Sequence, residues 1–230
     1  MAARYELVED GRAGGAVKVV ATGPGGKDSR RTVAHLLRSS SGGPNAYRPG
    51  AREIVLYGGD DARRKVLAIV TTEHGTGFGI AGPAAVYLVQ DPDGAPIGRI
   101  RLRRGLCFRL GRSRWTVDQK ATSAGTVQAS ARGVAGRLGW WALWWTVFLP
   151  YNIVMLLALF AGAGEDPVTT PRRIVWRDNS GRTAMIFRGM AGDYRVMQEH
   201  WDPRLVAALV GIHQTYASLA ITDSKDWYHR

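Results

Sequence analysis

A single cysteine, Cys107, occurs in the 230 residues of this chain. No intrachain disulfide can form, which fits a reducing compartment. No N-x-Ser/Thr sequon is present. The first ten residues contain no apolar core of the kind a secretory signal uses, so no cleavable signal is expected. Acid is scarce: 19 Asp and Glu stand against 31 Lys and Arg, a formal net charge of +12. With a pI near 10.4, the balance favours polyanionic partners, either nucleic acid or the anionic face of a membrane. Mean hydropathy is −0.15, which excludes a polytopic membrane protein and leaves at most one local segment to meet lipid. There is no repeat of fixed period.

Charge is missing altogether from residues 138–164. This stretch holds four of the eight tryptophans, with Arg132 and Arg137 before it and Glu165 and Asp166 at its end. An apolar run of about 18 residues or more is a candidate membrane span. Pro150 and Asn152 mark a break near its middle. The half before Pro150 would make about 18 Å of helix at about 1.5 Å per residue, short of a bilayer core of about 30 Å. A helical hairpin that dips into one leaflet or lies flat is therefore the reading adopted. Trp140, Trp141, Trp144, Trp145 and Tyr151 suit the headgroup level. Phe148, Leu156 and Phe160 supply apolar bulk for insertion. A soluble cap over the rest of the protein, or a seam for a protein partner, is the rival reading. A single span comes last, because strands are expected on both sides of the stretch.

Around this stretch the sequence has the rhythm of short strands. Hairpin signals stand at Gly58-Gly-Asp-Asp61, Asp91-Pro-Asp-Gly94 and Asp178-Asn-Ser-Gly181. Strands are expected at 5–8, 16–21, 53–57, 65–71, 86–90, 97–102, 107–110, 114–117, 174–177, 183–187 and 193–198. Residues 22–51 are rich in Gly, Ser, Pro and Arg and read as a long loop with one apolar patch at 33–37. Asp202-Pro203 is a helix start, with an N-cap and a proline at the first helical position. The following 205–212 is apolar at every position, so the helix must be enclosed, not laid on a surface.

Many short hairpins followed by one apolar helix near the C-terminus resembles the tubby C-terminal fold, shared with phospholipid scramblases and LURP-one-related proteins. The segments that carry the resemblance are Tyr87-Leu-Val-Gln-Asp-Pro-Asp-Gly-Ala-Pro-Ile-Gly98, Trp115-Thr-Val-Asp118, Ile174-Val-Trp-Arg-Asp-Asn-Ser-Gly181, Tyr194-Arg-Val196 and Asp202-Pro-Arg-Leu-Val-Ala-Ala-Leu209. The resemblance implies a mainly β protein: a closed antiparallel β-barrel around a C-terminal hydrophobic helix. The apolar helical hairpin would be an insertion in it, and no counterpart in the family explains it. The organisation expected is an N-terminal pair of strands and a loop over 1–51, a barrel over 52–220 with its central helix at 203–220, the insertion at 138–164 and a polar tail over 221–230.

The densest charge lies in one place. Arg99, Arg101 and Arg103 alternate with Ile100 and Leu102, so a strand would carry three guanidiniums on one face and the apolar pair on the other. Arg104, Arg109, Arg112 and Arg114 follow within the next eleven residues. Arginine forks match phosphate oxygens in pairs, and the tubby resemblance implies binding of phosphoinositide headgroups by basic residues on the barrel surface. These seven arginines are the candidate site for anionic lipid; a solvated barrel exterior is the plain alternative.

Other motifs lead nowhere. Gly77, Gly79 and Gly82 spell a dinucleotide fingerprint, but Pro83 and a strand-like run follow where a helix is required. Gly23-Pro-Gly-Gly-Lys27-Asp28 lacks the Ser/Thr of a P-loop. Glu199, His200 and Asp202 are a poor metal set, since Asp202 is better used as a helix cap. His213 suits a core or barrel-mouth histidine. No catalytic residue, metal site or cofactor is expected. The reading is a non-enzymatic module that binds anionic phospholipid through the arginine face and the Trp-rich hairpin, cytoplasmic and peripheral on the inner membrane face. A nucleic-acid-binding barrel or a soluble protein-interaction barrel is the alternative; lipid translocation ranks lower.

Overall fold

A computed structural model describes residues 3–9, 17–23, 25, 29–38, 52–58, 65–74, 84–103, 114–121, 125–132, 146, 149, 150, 153, 173–188 and 191–215. They form one closed antiparallel barrel of twelve strands around one helix. In chain order the strands are β1 (Ala3–Glu9), β2 (Val17–Thr22), β3 (Arg30–Arg38), β4 (Ile54–Gly58), β5 (Lys65–His74), β6 (Ala85–Gln90), β7 (Pro96–Arg103), β8 (Arg114–Ala121), β9 (Gly125–Arg132), β10 (Arg173–Asp178), β11 (Thr183–Arg188) and β12 (Asp193–Val196). Each strand pairs with its neighbours in sequence, and β1 pairs with β12 to close the ring. The helix α1 (Pro203–Thr215) comes after β12.

Geometry explains why the barrel needs a helix. At about 4.8 Å between strands and a tilt of about 40°, twelve strands enclose a cylinder roughly 24 Å across. Side chains from the wall cannot fill that width alone. A helix about 10–12 Å across with its side chains takes up the remainder. Leu205, Val206, Leu209, Val210 and Ile212 are at most 2% exposed. Burial of each such side chain is worth roughly 1.5–3 kcal/mol, so the apolar character all round α1 is what the lumen demands.

The start of α1 is fixed as the sequence predicts. Asp202 Oδ1 accepts a hydrogen bond from the Arg204 amide at 2.8 Å, and Pro203 is the first helical residue. Gln119, which points inward from β8, ties this end to the wall. Its Nε2 donates to the His200 carbonyl at 2.8 Å, and its Oε1 accepts from the Asp202 amide at 2.6 Å. At the other end Arg52, itself buried, donates from Nε to Thr215 Oγ1 at 3.1 Å. A cation there also suits the negative end of the helix dipole. Gly98 on β7 lets the wall approach α1. A Cβ at that position would stand 2.4 Å from the Asp118 carbonyl oxygen and 2.9 Å from Leu205.

The two best turn signals close as expected. Asp91 Oδ1 accepts from the Asp93 and Ala95 amides, and Gly94 takes φ +84°. Asp178 Oδ1 accepts from the Ser180 and Arg182 amides, and Gly181 takes φ +79°.

The structure differs from the sequence reading in three places. Residues 30–38, expected within a long loop, form β3, which pairs with both β2 and β4. The barrel therefore takes in chain on both sides of residue 52. A register shift at Val19/Val20 breaks the alternation that would have revealed β3. Residues 125–132, assigned no element, form β9, paired with β8 along its whole length. The last strand ends at Val196 rather than 198. The expected strand at 107–110 and helix residues 216–220 lie outside the described residues.

So does most of the expected apolar hairpin. Of residues 138–164, Thr146, Leu149, Pro150 and Ile153 are described; all four are helical and exposed. No described helix is long and apolar enough to cross a membrane.

Candidate functional site

Strand β7 carries the predicted basic face. Ile97, Ile100 and Leu102 are buried, while Arg99, Arg101 and Arg103 are exposed. Arginine outside and aliphatics inside is the inverse of the pattern on a strand of a lipid-spanning barrel.

The three arginines do not share one environment. Arg99 Nη2 lies 3.0 Å from Glu73 Oε1 on β5. Arg101 Nη2 lies 3.3 Å from Asp118 Oδ2 on β8, its neighbouring strand. The lack of acids in residues 99–114 thus holds along the chain but not across the sheet. Arg103 and Arg114 stand opposite each other in register, and both are exposed. Neither has an ion-pair partner among the described residues. Arg132 on β9 occupies the register position opposite Arg114. Arg103 and Arg114 are thus like charges directly opposite each other, an arrangement that costs stability.

Of the seven predicted arginines, Arg103 and Arg114 are brought together, while Arg99 and Arg101 are each held by a carboxylate. Arg104, Arg109 and Arg112 belong to the β7–β8 connection, outside the described residues. Trp140, Trp141, Trp144, Trp145, Phe148, Tyr151, Leu156 and Phe160 are outside them as well. Within the stretch that contains them, Thr146, Leu149, Pro150 and Ile153 fall at i, i+3, i+4 and i+7, the spacing of one helical face. Leu149 and Ile153 are 45% and 48% exposed, two of the three exposed large hydrophobics among the described residues.

Arg132 was missed by sequence reasoning, as was Arg173 at the start of β10. Arg132 precedes Gly133 and Arg173 follows Pro171-Arg172, so neither lies in an alternating pattern of the kind on β7. Only the register between strands places them near Arg103 and Arg114.

Two other features have geometry but lack a site's chemistry. A groove of about 800 Å³ opens at the end of the barrel where α1 starts, lined by Asp91, Ile97, Gln119, Lys120, Trp201 and Arg204 among others. Its charges are of both signs, and Arg204 is already paired with Asp202 at 2.8 Å. Inside the barrel, His213 is enclosed by Trp115, Trp176, Phe187 and Tyr194. Its Nδ1 shares a 2.5 Å hydrogen bond with the Tyr194 hydroxyl, which also accepts from Gln214 Nε2 at 3.2 Å. That is the buried histidine the sequence suggests. No group of three or more potential metal ligands occurs among the described residues.

Comparison with family models, curated proteins and solved structures finds no match for the chain.

Proposed function

We propose that this protein is a non-enzymatic module that binds anionic membrane lipid through its arginine-bearing strands, with the Trp-rich stretch inserted beside them. The observation that carries the reading is the cross-strand row in which Arg103 meets Arg114 and Arg114 meets Arg132. Exposed arginines on adjacent strands, whose backbones are about 4.8 Å apart, can both reach one phosphate, which would also relieve their mutual repulsion. A basic patch together with an apolar anchor binds a membrane stably where either part alone is marginal. The architecture, a closed barrel around an apolar helix, is what the resemblance to the tubby and scramblase group implies, and it supports the same reading. A place on the cytoplasmic face, where anionic lipid concentrates, follows as part of the proposal.

Nucleic acid is the weaker alternative. Trp115, the aromatic residue next to Arg114, is only 3% exposed and faces the lumen, so it offers bases no stacking platform. An apolar protein partner for the face that holds Leu149 and Ile153 is the other alternative. Sedimentation of the full chain with vesicles tests the proposal. Binding is expected to be strong to phosphatidylcholine vesicles containing phosphatidylserine, weak to phosphatidylcholine alone, and lower at high salt. Equal binding to both would remove the electrostatic half of the reading.

A further inference from the structure

The register of the barrel places more at one end than the row of three arginines. Strand β7 ends at Arg103, β8 begins at Arg114, β9 ends at Arg132 and β10 begins at Arg173. Because neighbouring strands are antiparallel, all four positions lie at the same end of the barrel. On β11, Arg188 is opposite Arg173. Five consecutive strands thus carry arginine at one rim. Along the last row of β7 to β10 no described position holds a carboxylate. On β12 next to Arg188 stands Asp193, which Arg188 and Arg4 already hold. At the opposite end carboxylates alternate with cations, with Asp91, Asp178 and Asp202 near Lys120, Arg177 and Arg204.

Both unusual connections leave from the arginine rim. The β7–β8 connection carries Arg104, Arg109 and Arg112. The β9–β10 connection carries the uncharged stretch, and Leu138 follows Arg132 by six residues. The chain leaves β9 and returns to its hydrogen-bonded neighbour β10 at this same rim.

From this juxtaposition we infer that the barrel docks end-on: the β7–β10 rim, with the exposed Arg103, Arg114 and Arg173, meets the headgroups of an anionic bilayer. The groove and the start of α1 face away. Arg99 and Arg101 are outside the contact, held by Glu73 and Asp118, and Arg99 is set back from Arg103 by about 13 Å of strand. The inference rests on the proposed lipid binding and adds its orientation and its residues.

Two charge-matched double variants separate the rim from the barrel side. Each is sedimented with vesicles of phosphatidylcholine containing about one quarter phosphatidylserine, an anionic surface of the kind basic residues sense. Arg103→Gln with Arg114→Gln should weaken binding by roughly thirtyfold, or five- to sixfold for each arginine brought to the surface. Arg99→Gln with Arg101→Gln should weaken it by about threefold or less, because set-back, paired charges are screened. Equal losses from the two would overturn end-on docking while leaving lipid binding intact. A parent chain that shows no preference for these vesicles, or that ignores them and binds RNA instead, overturns the inference together with the proposal beneath it.

A label on the parent chain guards against a misfolded variant. An environment-sensitive dye on Cys107, in the β7–β8 connection, should shift to the blue when these vesicles are added. The same dye on Asp93→Cys in a Cys107→Ser background, at the opposite end, should not. The reverse pattern would place the other end on the membrane and refute the inference.

Discussion

A methyl group at residue 98 has no room. With a carbonyl oxygen 2.4 Å from the Cβ position, the wall between β7 and β8 would have to part or α1 would have to move. Overpacking of this kind costs about 1–3 kcal/mol. Gly98→Ala should lower stability by that amount in denaturant unfolding, whereas Gly94→Ala, at a turn with open space, would show only backbone strain. Asp178 supports a different prediction. Hydrogen bonds from Ser180 and Gln198, joined by the Arg182 and Ser180 amides, hold its carboxyl at about 2, below the ordinary carboxylate range. The folded state therefore binds this proton less readily than the unfolded chain. The contribution is complete above the ordinary value and is lost as pH falls through roughly 4 to 2. Replacing Asp178 with Asn should flatten the fall in melting temperature across that interval. A parallel fall in parent and variant would show that the turn contributes nothing there.

At the scale of elements, the closing pair β1–β12 depends on charge. Asp193 is fully buried on the outward side of β12, with Arg188 Nε at 2.7 Å and Arg4 Nε at 2.8 Å. Burial pushes its carboxyl up, but the hydrogen bonds from Arg188 and the charges of Arg188, Arg4 and Arg195 outweigh that and leave it lowered. Asp193→Asn keeps the shape and removes the charge. Both arginines are partly exposed, so the loss should be on the order of 1–2 kcal/mol, below that of a fully buried pair. Equilibrium unfolding would measure it, and an unchanged midpoint would show that the seam is held by its backbone ladder alone. For α1, Asp202→Ala removes both the cap and the partner of Arg204 and should cost about 1 kcal/mol.

The elements also show what could be read in advance. Hairpins with Asp-Gly or Asp-Asn-Ser-Gly turns were legible because local chemistry alone sets them. The helix was legible because an element apolar on every side has few places to go. Strand β9 was not, since Ala129 and Ala131 are small where the pattern asks for bulk. Ala131 sits opposite Trp115, whose indole takes up the volume, so the alternation is shared between strands and cannot be seen in either alone. The arginine site was half legible for the same reason. Alternation on β7 set the outward face, but Glu73 and Asp118 come from other strands, and so do the partners of Arg103 in its row.

For the whole molecule, the barrel and the apolar stretch are separable in principle. Residues 133–172 join the ends of two strands that are already hydrogen-bonded to each other. Replacing 138–164 with a short Gly/Ser linker should leave cooperative unfolding close to that of the parent chain. It should also abolish sedimentation with anionic vesicles or reduce it to a salt-sensitive remnant. Loss of cooperative unfolding would show instead that the stretch is part of the barrel's own packing.

The closing pair has a consequence for how the chain reaches this state. Residues 3–6 bond to residues 193–196, and the helix that fills the lumen follows still later in the chain. A ribosome must release the chain from residue 3 through residue 215 before the ring can shut around its plug. Until then a curved open sheet exposes two unpaired edges and an apolar inner surface. Long-range closure of this kind is slow and prone to aggregation, so the most vulnerable moment in the life of this barrel falls before its last strand has emerged.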